Sequence, residues 1–222
     1  DYVDPNGRAR ILFRRLSILD LAGGHQPVFN HDRTVVVVLN GEIYNYRELR
    51  SELIAQGVQF RTQGDSEVIA HLYDIMGPKL VERLEGMFAI VIWDEKKGVL
   101  HAMRDRFGIK PLYLVKTGTS VALCSEIRPL LSVSTVGREL SEQGLVQYLS
   151  YGYTLQPNTI YRDVEKVPAA THLEISDAGI RSNTFWDVQG DITSGWSKES
   201  LLAEFDRAIE LHLRSDVKVG AF

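Results

Sequence analysis

TVVVVLNGEIYNYRELRSELIAQG, from Thr34 to Gly57, decides the class of fold. Val35-Val36-Val37-Val38 is β-branched and apolar on both parities, so Thr34 to Leu39 predicts a strand buried on both faces. From Tyr46 the period changes: Leu49, Leu53 and Ile54 fall on one stripe until Gly57 stops it, which predicts a helix over Tyr46 to Gln56. A doubly buried strand beside an amphipathic helix belongs to an α+β fold whose sheet is covered on both sides.

The same alternation runs outward. Strands are predicted over Ile11 to Leu19, Met87 to Trp93, Gly98 to Arg104, Leu112 to Val115 and Ser120 to Cys124, and Phe88-Ala89-Ile90-Val91-Ile92 is again apolar on both parities. A second helix reads from Ser66 to Met76, with Val68, Ile69, Leu72 and Ile75 inward and Gly77-Pro78 as its stop. A third runs from Ser141 to Ser150, with Ser141 as N-cap and Leu145, Val146 and Leu149 inward. A small hairpin follows at Thr171 to Ile175 and Gly179 to Phe185. DVQGDITSG, Asp187 to Gly195, is polar and Gly-bearing, the best linker candidate. Beyond it Ser197 caps a helix with Glu199 in its first turn and Leu202, Phe205, Ile209 and Leu213 on one side, and Val217 to Phe222 begins an apolar strand. The domain reading is therefore 1–186, a linker at 187–196, and the start of a second domain at 197–222.

The 222 residues carry 25 Lys+Arg against 29 Asp+Glu, with 44% hydrophobic and 24% charged residues, as in ordinary globular chains. There is no basic excess or run, which argues against nucleic-acid binding, and no apolar window long enough for a membrane helix. One cysteine, Cys124, excludes an internal disulfide framework and a thiolate-rich zinc site, and fits a reducing, cytoplasmic setting. The start at Asp1 shows no signal-peptide pattern. The six histidines have no paired ligand spacing, and no Gly-x-Gly-x-x-Gly, Gly-x-Ser-x-Gly or Walker-type loop occurs. No metal is predicted within this chain.

Four places have two readings each. Asn40-Gly41 between apolar runs is the strongest short-range hairpin signal, yet an Asn side-chain N–H beside a Gly backbone N–H is also how an oxyanion hole is built. Asp65 sits at the start of a helix, where it caps or where it accepts hydrogen bonds from a substrate ammonium. Arg15 lies among apolar neighbours, either as a snorkelling rim residue or as a clamp on a carboxylate. Cys124 with His101 invites a thiol-hydrolase reading, against a small apolar packing role for Cys124.

Taken together the segments are more specific. RRLSILDLAGGHQPVFN (Arg14 to Asn30), LNGEIYNYRELRSEL (Leu39 to Leu53), FRTQGDSEVI (Phe60 to Ile69), LEGMFAIVIWDEKK (Leu84 to Lys97) and RDRFGIKPLY (Arg104 to Tyr113) resemble, in order, the glutaminase domain of glutamine-hydrolysing asparagine synthetases. GYTLQPNTIYRDVEKVPA (Gly152 to Ala169) and SDVKVGAF (Ser215 to Phe222) resemble that family's passage into its synthetase domain. RD-x-x-G-x-x-PL alone would fit several class II glutamine amidotransferases; NGEIYN and SDV-x-x-G narrow the likeness.

The resemblance implies an N-terminal-nucleophile hydrolase fold, an αββα sandwich, and glutamine hydrolysis by an N-terminal cysteine whose own α-amine is the base. It implies that Asn40 and Gly41 form the oxyanion hole, that Arg15 clamps the glutamine α-carboxylate, and that Glu42 and Asp65 accept from its α-ammonium. In the second domain it implies ATP, Mg2+ and aspartate, and it allows a homodimer. Two departures stand out: Asp1 has no thiol, and the pyrophosphate-binding Ser-Gly-Gly-x-Asp-Ser loop is missing after Phe222. A fragment of this sequence is thus expected to bind glutamine without turning it over. The rivals are an amidotransferase aminating another carboxylate, a binding module of the same fold without catalysis, and a Cys124 hydrolase.

Overall fold

The computed structural model describes residues 1–14, 24–133, 135–188, 195, 197–217 and 220. In chain order its elements are β1 (Tyr2–Val3), β2 (Arg10–Ile11), β3 (Val28–Phe29), β4 (Val35–Ile43), α1 (Tyr46–Ala55), α2 (Ser66–Met76) with a 3-10 turn at Gly77–Arg83, β5 (Gly86–Asp94) and β6 (Val99–Arg104). Then follow β7 (Tyr113–Thr117), β8 (Ser120–Cys124), α3 (Ile127–Leu130), α4 (Glu142–Tyr151), β9 (Val164–Lys166), β10 (Thr171–Ser176), β11 (Gly179–Thr184) and α5 (Lys198–His212).

β4 and β5 are the longest strands and the middle of a six-stranded sheet ordered β11-β10-β6-β5-β4-β3, antiparallel throughout. A three-stranded sheet, β8-β7-β9, lies on one side of it. Side chains alternate along a strand, so each parity of β4 meets a different layer. Val37, Leu39 and Ile43 join Phe88, Ile90, Ile92 and Met103 under Leu49 and Leu53 of α1 and Val68, Ile69 and Leu72 of α2. Val36 and Val38 pack with Ile11 and Trp93 on the other face, while Ala89, Ala102 and Leu173 meet Leu112, Leu114 and Val167 of the smaller sheet. Val115, Ala122 and Cys124 face outward from that sheet against Ile127 and Leu130 of α3. The layers are helix, sheet, sheet, helix, as the doubly apolar strands require; each aliphatic side chain so buried contributes about 1.5–3 kcal/mol.

Several expectations are corrected. Asn40-Gly41 is no turn: β4 runs straight through it to Ile43 in unbroken register with β5. Of the strand expected over Ile11 to Leu19, only Arg10–Ile11 pairs among the described residues; Leu12 to Arg14 is irregular and Arg15 to Leu19 lies outside them. Ser141 does cap α4, accepting from Gly144 N–H, but Leu145, Val146 and Leu149 face out. That helix leans on the loop at Thr159 through Gly144, where a Cβ would strike the Thr159 carbonyl. α5 forms where the sequence places it. Ser197 caps it, yet Leu202, Phe205, Ile209 and Leu213 are exposed. On its other side Arg207 pairs with Glu85, and just past its end Arg214 donates to the Tyr44 carbonyl and pairs with Glu48. Ile54 and Ile75, expected inward, are about half exposed. Of Val217 to Phe222, Val217 is not in a strand, and residues 218, 219, 221 and 222 lie outside the described set.

The helix-facing side of the sheet ends in a buried polar chain. His172 Nε2 lies 2.9 Å from His101 Nδ1, His101 Nε2 lies 3.1 Å from Tyr73 Oη, and Tyr73 donates to Asp94 at 2.9 Å. Burial opposes ionisation of Asp94, but hydrogen bonds from Lys97 and Tyr73 outweigh it and hold the carboxyl below its ordinary range. An ionised Asp94 only accepts, so the Tyr73 proton points to it. Tyr73 oxygen then takes His101 Nε2–H, and bare Nδ1 accepts from His172. Both imidazoles are neutral in this assignment. Burial, and then the neighbouring His172, push His101 down to about 4. The unfolded chain therefore binds protons between about pH 6.5 and 4 that folded His101 refuses, and stability falls as pH is lowered through that window. Melting temperatures measured from pH 7 to 4.5 should fall less steeply for His101→Gln than for the wild type; parallel profiles would contradict the assignment.

Candidate active site

Every interior strand shares its N–H and C=O groups with two neighbours, but β4 outruns β3. The β3 pairing covers only Val36 and Val37. Two residues further, Leu39 donates its N–H to Gln26 Oε1 at 2.7 Å and accepts from Gln26 Nε2 at 3.1 Å. Four residues beyond that, Ile43 N–H is taken by Asp65 Oδ2 at 2.9 Å. Leu39 and Ile43 thus turn their peptides to the same outer edge, and the two-residue alternation turns Gly41 there as well. Phe88, directly opposite Gly41, points the other way: it donates to Asp105 Oδ2 and accepts from Asp105 N–H. Among the described residues, the Gly41 amide lies at an opening in the edge between two side-chain braces. Its φ of +142° suits glycine, and a Cβ would collide with the Met87 carbonyl.

Asn40 and Glu42 share the opposite parity, with Val36 and Val38, and face the space between the sheets. There they line a cavity of about 910 Å³ together with Gly41, Asp65, Lys110 and Glu126. Asp65 is buried and makes no side-chain cap to α2, so its helix-capping reading is set aside. Burial pushes its carboxyl up to about 6; the Glu42 charge adds to that and the Ile43 hydrogen bond opposes it. Two carboxyl groups therefore share one cavity, and one of them ionises only near pH 6.

Four of the five predicted site residues, Asn40, Gly41, Glu42 and Asp65, line this cavity. Arg15 lies outside the described residues, and its neighbour Arg14 is on the cavity wall. Cys124 belongs to the wall as well, but it is half-buried in the cluster against α3 and lies on the smaller sheet. His101 has both ring nitrogens engaged on the helix side of the large sheet, so the Cys124–His101 pairing is not formed. Sequence reading missed Gln26, Arg104 and Asp105. The Asp105 carboxylate accepts from the N–H groups of Phe88, Phe107, Ile109 and Lys110. Arg104 donates to the carbonyls of Lys110, Val167 and Gly108. This knot sets Lys110-Pro111 as one wall; a buried Arg-Asp pair closing a strand was the available signal.

The chain is similar to known proteins along most of its length. A glutamine amidotransferase domain model matches residues 5–186. The glutamine-hydrolysing asparagine synthetase 1 of Bacillus subtilis (strain 168) is 38% identical over 215 residues, 95% of this chain and 34% of that protein. A putative glutamine-hydrolysing asparagine synthetase 2 of Methanocaldococcus jannaschii is 32% identical over 94% of this chain and 44% of its own length. The chain thus spans between about a third and under half of these relatives. Among solved structures, the glutamine phosphoribosylpyrophosphate amidotransferase of B. subtilis, complexed with ADP and GMP, superposes with a TM-score of 0.51 at 23% identity, over 73% of this chain and 32% of that one, a likeness of fold.

A carboxyl whose folded pKa is raised costs stability above that value. Asp65→Asn keeps an oxygen for Ile43 N–H without the charge, so at pH 7 it should stabilise the fold by about 1–3 kcal/mol. The gain should shrink below about pH 6 and vanish near 4, where Asp65 is protonated folded or unfolded. Denaturant unfolding at the two pH values checks this, and an Asp65→Asn protein less stable than the wild type at pH 7 would refute it.

Proposed function

Because the chain belongs to the glutamine amidotransferase domain family, we propose that it is the glutamine-hydrolysing part of an asparagine synthetase, releasing ammonia from the glutamine side chain. The observation that carries the reading is the edge opening of β4, an amide at Gly41 and a carboxamide at Asn40 beside two carboxyl groups in one cavity. Attack on the γ-carboxamide carbon turns its oxygen into an oxyanion. The Asn40 side-chain N–H and the Gly41 amide are assigned to receive that charge, and donors that need not reorganise favour the transition state over the ground state. The α-ammonium is assigned to Glu42 and Asp65, and its charge keeps the Asp65 carboxyl ionised to lower pH. Arg15 is assigned the α-carboxylate.

The nucleophile in this reading is an N-terminal cysteine, as the resemblance implies. An α-amine with a reference pKa near 8 is partly neutral at pH 7 and able to take the thiol proton. Cys124 does not serve, since it packs toward α3. Adenylation of aspartate with ATP and Mg2+, and capture of the ammonia, are assigned to the remainder of the longer protein. A single free cysteine suits work in the reducing cytoplasm.

In the full-length protein, Asn40→Ala should lower kcat for glutamate release by about 10²–10³, the worth of one oxyanion donor, while ammonia-driven amide synthesis persists. An unchanged kcat would sink the assignment. Arg15→Ala should chiefly raise KM for glutamine. KM should also rise below about pH 6, as Asp65 takes up a proton and loses its hold on the ammonium. In Asp65→Asn that inflection should disappear, and if it persists unchanged Asp65 is not the ammonium acceptor.

A further inference from the structure

We infer that Gln26 is a positioning residue for the oxyanion hole proposed above: its side-chain carboxamide serves as a rung of β-ladder that fixes the Leu39 peptide from which Asn40 and Gly41 project. The inference rests on that functional reading and adds a residue to it.

The register sets the geometry. Val28 pairs with Val37, so two steps back along β3 and two forward along β4 bring residue 26 opposite residue 39. A continuing strand would exchange two main-chain bonds there. Instead the side chain makes both, its oxygen taking Leu39 N–H at 2.7 Å and its nitrogen giving to Leu39 C=O at 3.1 Å. A carboxamide has the same planar donor and acceptor as a peptide, and Gln has the reach to present both. Pro27, with no N–H to offer a ladder, sits where the strand gives way to the side chain.

The brace is needed because Leu39 is buried and its N–H would otherwise be left without a partner, at the last peptide before the site. Asn40 and Gly41 share the chain that leaves Leu39, so displacement of that peptide moves both oxyanion donors together. Asp65 braces the far end at Ile43. Gln26 lines the cavity too, but its oxygen and one of its two N–H groups are held by Leu39, and the role inferred for it is exerted through Asn40 and Gly41.

The test is a double-mutant cycle on glutamine hydrolysis by the full-length protein. Gln26→Met fills the same volume without either hydrogen bond. It should lower kcat about 10- to 100-fold, as small displacements of catalytic groups do, with KM for glutamine and ammonia-driven synthesis little changed. Hydrogen exchange at the Leu39 amide should accelerate. In an Asn40→Ala background the same substitution should cost much less, because the donor it positions has gone. Wild-type kcat in Gln26→Met, or full additivity with Asn40→Ala, overturns the inference. If Asn40→Ala itself retains wild-type kcat, it is the oxyanion reading that fails; Asn40→Ala crippled beside an intact Gln26→Met defeats only the role given to Gln26.

Discussion

A strand that outruns its neighbour leaves a row of main-chain donors and acceptors at an edge, and the outer edge of β4 is the constraint on which the rest of this structure depends. Beside a packed core such groups need partners, and each left unmet costs about 1–3 kcal/mol. β3 supplies partners as far as Val37, the Gln26 side chain at Leu39, and the Asp65 side chain at Ile43. Side chains brace short lengths of edge where a strand would have closed all of it. The opening at Gly41 comes from that substitution, and it faces a cavity where a ligand oxygen can complete the edge.

The buried titratable groups on the two sides of the large sheet work in opposite senses. On the helix side, His101 is held neutral within a chain whose donors and acceptors match, so its burial is tolerated near neutral pH and becomes a liability in acid. On the cavity side, Asp65 is least comfortable when ionised, and Glu42 adds to the discomfort. The first arrangement serves the fold. The second costs stability at neutral pH, and in the proposed function that cost is offset by the substrate's ammonium.

The layers are legible in the sequence because the signals for them are local. Val35 to Val38 and Phe88 to Ile92 announce two covered faces, and the stripes of α1 and α2 announce the cover. Asn40-Gly41 misleads for a physical reason: the dipeptide tolerates positive φ, and a turn is the commonest use of that tolerance, whereas here Gly41 uses it inside a strand to pass the Met87 carbonyl. α4 and α5 do carry apolar stripes, but spacing does not say which layer covers a stripe, and both face outward here. The role of Gln26 is not legible at all. It arises from a register two residues past the end of β3, a relation between segments that no local pattern carries.

The opening at Gly41 also depends on the far side of the strand pair. Had Phe88 turned its N–H and C=O toward β4, it would have met Gly41 as a hydrogen-bonded partner and left no amide for a ligand. Asp105 prevents this by taking the Phe88 N–H on its carboxylate while its own N–H binds the Phe88 carbonyl. The same carboxylate holds Ile109 and Lys110, and Arg104 holds the carbonyls of Gly108 and Lys110. One dipeptide therefore fixes both the peptide opposite the opening and the Lys110-Pro111 wall that faces it. An error in this loop would shift the two walls of the cavity together. The Arg-Asp pair of the RD-x-x-G-x-x-PL segment is better understood as the frame of the site than as part of its chemistry: the charges of Arg104 and Asp105 are spent on main-chain groups, and what they set is a fixed distance between walls.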